Sequence, residues 1–282
     1  MLAIFAVSFS SLPAQGHAWR ISDAIHSDPD NEPGSSPGRR PESLLSREYA
    51  SLLFDDTKSV LTSPLRWKRN DWLVAGSLAG LVVASSVSDG GIKEESQETI
   101  TPKRRAFTAN AQRFGAEGSW AVIGAFEVCG ILANDGKAKA VAMDCVTSSI
   151  ISAGIVAPLI KLTAGRVRPN ASERTFQFKP FSGNYSFPSG HVTQAFSVAS
   201  VIAAHYDQWW VKGLAYGVAG AVGYSRIEQN SHYASDVFAG AIIGTVIGRT
   251  IVHRHNKPKD ADITMTPFFD GLSSGIMFAR RF

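Results

Sequence analysis

The sequence predicts an all-α protein: a bundle of about six core helices, with an N-terminal amphipathic helix before it and a short hairpin-like tail after it. Three observations predict this. Six apolar segments start near residues 72, 118, 139, 191, 211 and 236, and each ends at Gly, Pro or charged residues. Gly, Ala and Ser recur through all six, a composition that lets helix backbones approach closely in lipid or in a tight soluble bundle. No strand-like alternation interrupts them before the last residues.

Taken in order, residues 1–16 read as an export signal or an N-terminal apolar segment, "MLAIFAVSFSSLPAQG", with Ala14 and Gly16 spaced as a signal-peptidase site requires but no basic residue after Met1. Residues 17–43 read as a linker, because "SDPDNEPGSSPGRRPES" is too polar and too rich in Pro, Gly and Ser to bury an ordering surface. From 44 to 61, "LLSREYASLLFDDTKSVL" has apolar residues at helical spacing, an amphipathic helix suited to a membrane surface or to a soluble core. The main domain covers residues 44–255. Within it Trp72–Ser88 is free of charge for 17 residues and Cys145–Ile160 for 16, against the ~20 that a bilayer span requires. In the tail, 256–282, Asp270-Gly271 marks the turn of a hairpin.

Composition limits the function. Hydrophobic residues make up 44% of the chain and charged ones 18%, below the usual ~25%, so much of the surface is destined for protein or lipid. The net charge of +4 is small and no basic stripe alternates with aromatics, which argues against a nucleic-acid partner. Cys129 and Cys145 lie in apolar segments and read as small buried hydrophobes.

The cations gather near particular sequences. "KLTAGRVRPN" places Lys161, Arg166 and Arg168 at a helix end, and "SFPSGHVTQAF" follows with Ser189, Gly190 and His191 at a helix start, where unpaired N–H groups favour an anion. In "YSRIEQNSHYASDVFAG", His232 and Asp236 are four residues apart and so share a helix face, where the carboxylate can fix the imidazole tautomer. Arg226 precedes them. Guanidinium forks, a lysine point charge and backbone donors suit a tetrahedral oxyanion, and two histidines suit in-line phosphoryl transfer. Arg166 is read as either a phosphate ligand or a structural group. His205 is expected to pack at its helix end, and His253 and His255 to form a solvated basic helix end.

These residues resemble the type 2 phosphatidic acid phosphatase family, whose superfamily includes class A acid phosphatases and vanadium haloperoxidases. The signature is Lys, six residues, Arg-Pro; Pro-Ser-Gly-His; and Ser-Arg, five residues, His, three residues, Asp. Lys161 with Arg168-Pro169, Pro188 to His191, and Ser225-Arg226 with His232 and Asp236 match every position. Pro-Ser-Gly-His alone has a chance frequency of about 10⁻⁵ per position. The resemblance covers roughly residues 60–255 and implies a metal-independent phosphatase without a cofactor, acting on a phosphate monoester or pyrophosphate, of a lipid or a small ester. It implies phosphate binding by Lys161, Arg168, Ser189, Gly190 and Arg226, attack by His232 oriented by Asp236 to form a phosphohistidine, and acid–base work by His191. A haloperoxidase binding vanadate is the alternative enzyme class.

The expected place is the cell envelope, with the site outside the cytoplasm. Six spans with "LRWKR", "GKAK" and "HRHNKPK" inside give that orientation, whereas six spans after a cleaved signal give the reverse. A soluble periplasmic bundle is the alternative.

Overall fold

The computed structural model describes residues 40–41 and 43–257, and the backbone of two antiparallel strands, β1 (Ile263–Phe269) and β2 (Ser274–Arg280). The apolar segment 1–16 and nearly all of the linker 17–43 lie outside the described residues. So does Asp270-Gly271.

The chain opens with α1 (Arg47–Leu61), which starts where Ser46 Oγ accepts a hydrogen bond from the Tyr49 amide, and a short 3₁₀ turn (Ser63–Arg66) follows it. Next come α2 (Arg69–Ser86), α3 (Asp89–Glu98), α4 (Pro102–Ala111) and α5 (Glu117–Leu132). α6 (Gly136–Ser149) runs through a π-helical stretch (Ile150–Val156) into α7 (Ala157–Ala164). The last three are α8 (Gly190–His205), α9 (Trp209–Glu228) and α10 (Ala234–Asn256). All six apolar segments are helical. The short α3 and α4, too polar to stand out by periodicity, are additional to the six.

The π stretch has a local cause. Pro158 has no N–H to give to the previous turn and its ring crowds the carbonyl there, so the helix widens before it.

α8 lies at the centre, against α6, α9 and α10. Its valines Val198 and Val201 meet Val141, Cys145 and Val252 in one buried cluster, while Val192 meets Ala219 and Val222 of α9 in another. Against α10 the contact is closer. A Cβ on Gly244 would lie 2.4 Å from the Thr193 carbonyl oxygen, and one on Gly240 2.7 Å from that of Ser189. With Gly248, these glycines recur every four residues along one face, so the two backbones touch where side chains would hold them apart. This contact fixes the start of α8 beside the start of α10.

Among the described residues, two helices are long and apolar enough to cross a membrane: 136–164, with mean hydropathy 1.7, and α10, with 1.4. The pairs α2–α3 and α4–α5 pass the same test as bent units, with bends of 50° and 53°.

Two expectations away from the site are corrected. Cys129 is exposed on α5, although Cys145 is buried as expected. His255 is not solvated but fully buried, with its two ring nitrogens 2.6 Å from carboxylate oxygens of Asp144 and Asp56. His205, the last residue of α8, packs as expected and lies 2.7 Å from the other Asp144 oxygen. Arg40 and Arg254 complete this cluster, on Asp144 and Asp56 respectively. Two carboxylates can be buried there because each has cationic or N–H partners.

Candidate active site

Four helix ends meet opposite the His255 cluster. Lys161 is in the last turn of α7, Arg226 in the last turn of α9, Ser189 caps α8, and His232 stands just before α10. Gly165 makes the turn after α7 possible. It is in the left-handed region (φ +58°), and a Cβ there would collide with the Lys179 carbonyl. The chain past it returns beside the loop 172–186: the Val167 amide donates to the Gln177 carbonyl and the Ser186 amide to the Arg166 carbonyl. Lys161 Nζ donates to the Tyr185 carbonyl at 2.7 Å, which draws its ammonium to the start of α8.

The α8 and α10 starts are tied directly, since the Ser189 amide donates to the Asp236 carbonyl at 3.0 Å. Ser189 is fully buried, yet its Oγ has no protein partner, and the same holds for Arg226 Nε. Buried polar atoms of this kind cost free energy unless something bonds to them. The other side of the Arg226 guanidinium is held by Gln112 Oε1 at 3.0 Å and Gln229 Oε1 at 3.1 Å. Arg168 is exposed and near enough to lower the pKa of Arg226, after burial itself.

His232 is 3% exposed. Its Nδ1 lies 3.7 Å from Asp236 Oδ2, within ion-pair range but longer than a hydrogen bond. Burial lowers its pKa, Lys161 and Arg226 add to that, and Asp236 opposes it. His191 lines a cavity of about 530 Å³ with Gln112, Arg113 and Glu117. Burial, then Arg226 and His232, lower its pKa to about 4, with Glu117 opposing. The two imidazoles therefore sit in the field of the same two cations, and each is held neutral at pH 7 in the unliganded protein.

Asp236 is the hub of the site. Its Oδ2 accepts from the Tyr233 amide at 3.0 Å and from Ser186 Oγ at 2.5 Å, and its Oδ1 accepts from Arg166 Nη1 at 2.6 Å. Arg166 is 1% exposed; it also donates to Ser235 Oγ at 2.7 Å, Asp89 Oδ2 at 2.8 Å and the Thr175 carbonyl at 3.0 Å, and it lies over the Tyr233 ring at 4.1 Å. The open question about Arg166 is thus answered: its guanidinium is spent on Asp236 and Asp89. Asp89 in turn accepts from the Ser235 amide at 2.9 Å.

All eight residues singled out from the sequence stand at or beside this junction. Sequence reasoning missed Asp89, Ser186, Gln112, Glu117 and Gln229. The quoted "SFPSGH" contained Ser186, but nothing near Asp89 distinguishes it from a helix-start carboxylate. Among the described residues, no group of three or more His, Cys, Asp or Glu side chains is placed to hold a metal ion.

Residues 144–260 match the family model described as PAP2 superfamily. A lipid A 1-phosphatase of Porphyromonas gingivalis is 36% identical over 90 residues, 31% of this chain and 18% of that protein. One from Rhizobium etli is 33% identical over 102 residues, 34% of this chain and 43% of that one. An undecaprenyl-diphosphatase of Sulfolobus acidocaldarius is 30% identical over 101 residues, 35% and 48% of the two chains. The matches thus span less than half the length of these relatives. Among solved structures, Aquifex aeolicus LpxE is similar at 21% identity and a TM-score of 0.46, over 58% of this chain and 93% of that one.

Proposed function

Residues 144–260 of this chain belong to the PAP2 superfamily, and on that premise we propose that the protein is a phosphatase that hydrolyses a phosphate monoester or pyrophosphate of a lipid. One observation carries the reading. Two neutral imidazoles share the field of Lys161 and Arg226 beside buried, unpartnered donors on Ser189 and Arg226. An anion with several oxygens satisfies these donors and is held between the rings.

Lys161, Arg168 and Arg226 neutralise the phosphate oxygens, and Ser189 with the first amides of α8 binds the rest, so the transition-state charge is met by groups already in place. The Asp236 carboxylate, 3.7 Å from His232 Nδ1, favours the tautomer that keeps its proton on Nδ1, which leaves the Nε2 lone pair to attack phosphorus. The P–N bond forms as the bond to the leaving oxygen breaks, and His191 gives that oxygen its proton. His191 meets the substrate with a pKa near 4, and the incoming phosphate charge raises it, so the ring gains its proton on binding. In the second step neutral His191 takes a proton from water, the hydroxide oxygen bonds to phosphorus and the P–N bond breaks, releasing inorganic phosphate and restoring His232.

Relatives whose names include lipid A and undecaprenyl diphosphate support a lipid substrate, as do the apolar helices around the site. We place the site on the extracytoplasmic face. Arg66, Lys68, Arg69, Lys137 and Lys139 lie at the starts of α2 and α6 and Arg254 and Lys257 at the end of α10, away from the site, and such clusters favour the cytoplasm. The test is phosphate release by the purified chain from a panel of lipid phosphates and diphosphates. Turnover abolished by His232→Ala supports the reading, and turnover unaffected by it overturns the reading.

A further inference from the structure

Arg166 and Arg226 are both buried, but different chemistry holds them. Arg166 meets the carboxylates of Asp89 and Asp236. Arg226 forms no ion pair among the described residues. Its Nη1 donates instead to two neutral carbonyl oxygens, Gln112 Oε1 at 3.0 Å and Gln229 Oε1 at 3.1 Å. Glu228, the acid nearest to it in sequence, accepts from Thr108 Oγ1 of α4 at 2.7 Å.

We propose that Gln112 and Gln229 are positioning residues of the phosphate site, a neutral cradle that orients Arg226 without cancelling its charge. The inference rests on the phosphatase reading and adds two residues that the signature does not specify. Gln112 precedes the matched segment 144–260, and Gln229 falls in the open interval between Arg226 and His232. Orientation follows from the shape of the guanidinium. The two glutamines occupy Nη1, and the edge left over carries the N–H groups of Nε and Nη2 side by side, the fork that grips two oxygens of one phosphate. Nε is the atom buried without a protein partner. Charge follows from the type of acceptor. A carboxylate in place of either amide fixes the same edge but pairs with the cation, so the phosphate meets a weaker field.

Each glutamine is itself fixed. Gln112 opens a 3₁₀ turn, Gln112–Gly115, that is pressed onto α8: a Cβ on Gly115 would stand 2.8 Å from His191 Cβ and 2.9 Å from the His191 carbonyl oxygen. Gln229 caps the C-terminus of α9, and its Nε2 donates to the Thr108 carbonyl at 3.2 Å. The cradle therefore refers one guanidinium to the end of α4, the start of α8 and the end of α9.

The test measures Kd for inorganic phosphate on the purified chain by isothermal titration calorimetry, with thermal unfolding of each variant alongside. Gln→Glu at 112 or 229 keeps the length and the acceptor and adds a charge. Gln→Met keeps the length and removes the acceptor. Gln208→Glu, at the exposed start of α9 and about 27 Å along the helix from Arg226, is the control for added charge. Gln112→Glu and Gln229→Glu are each expected to weaken phosphate at least fivefold with an unfolding midpoint no lower than the native one, because the new carboxylate pairs with Arg226. Gln112→Met and Gln229→Met are also expected to weaken it at least fivefold, and Gln208→Glu to stay within twofold. A glutamine that only tied helices together would tolerate Glu, and plain repulsion by the added charge would leave Met at native affinity. A smaller loss in either kind of variant, or an equal loss in Gln208→Glu, overturns the cradle. Because the two glutamines lie on separate elements, failure of one variant to fold leaves the other to decide. Turnover of p-nitrophenyl phosphate separates the cradle from the reading it rests on. A chain that binds phosphate and shows these losses but cleaves no ester keeps the cradle and fails as a phosphatase. A native chain that binds no phosphate overturns the cradle whatever it cleaves.

Discussion

Arg166 and Asp236 form a buried ion pair of 2.6 Å, and the same guanidinium holds Asp89 at 2.8 Å. Neither carboxylate touches solvent. The carboxylate beside His232 is therefore set in place by a residue from the loop after α7 and a second acid from α3. Arg166→Ala leaves two buried carboxylates without their cation, and breaking such a pair costs about 3–5 kcal/mol. Heat or SDS unfolding of purified Arg166→Ala is expected to show a loss of that order. A loss under about 1 kcal/mol, typical of a surface pair, contradicts the clamp.

Asp89 precedes the segment matched by the family and acts on the site only through others. Asp89→Asn keeps an acceptor for the Ser235 amide but removes one charge from Arg166. Since small misplacement of a reacting group can cost up to about 100-fold in rate, a fall of roughly tenfold in kcat for a soluble ester is expected, with KM within about twofold. A change in KM alone speaks against a role in placing Asp236.

The pH profile follows from the lowered histidine pKa values. His232 attacks as the neutral ring, and with its pKa below the ordinary 6.5 it stays neutral until the pH falls below that value. The acid limb of kcat/KM is thus expected below pH 6.5. Glu117 raises the His191 pKa, so Glu117→Gln removes that support and His191 holds its proton less tightly. The basic limb of kcat moves to lower pH in Glu117→Gln. A shift to higher pH, or an acid limb above 6.5, contradicts these assignments.

The α8–α10 contact predicts the cost of a single methyl group. Gly244→Ala puts a Cβ 2.4 Å from the Thr193 carbonyl, and backbone must move to relieve it. Overpacking of this kind costs about 1–3 kcal/mol. Because the same contact carries Ser189 and Asp236, activity is expected to fall with stability, whereas Gly76→Ala on α2, with nothing within 4 Å, is expected to leave activity unchanged and to raise stability by up to about 1 kcal/mol.

The helices were legible because burial of each one leaves a local pattern. Apolar runs ended by Gly, Pro or charge mark α2, α5, α6 and α8 to α10, while α3 and α4 are short, polar and held by the helices they pack on. The site residues were legible for a related reason: helix starts and ends concentrate cations, amides and histidines in short strings such as "PSGH". Partners from distant segments left no such trace. Asp56 and Asp144 lie 199 and 111 residues from His255, so its basic neighbours "HRHNKPK" suggested solvent. Arg166 and Asp89 are 77 residues apart, and only the packed structure shows that the guanidinium is occupied.

The central claim is that His232 carries the phosphoryl group. Brief reaction with a lipid ester labelled with radioactive phosphate, followed by an alkaline quench that preserves phosphoramidates, measures it most directly. The account predicts label on His232 of the native chain that forms more slowly in His191→Ala, where the leaving oxygen receives no proton, and that is absent from His232→Ala. Turnover without label, or label that persists in His232→Ala, contradicts it.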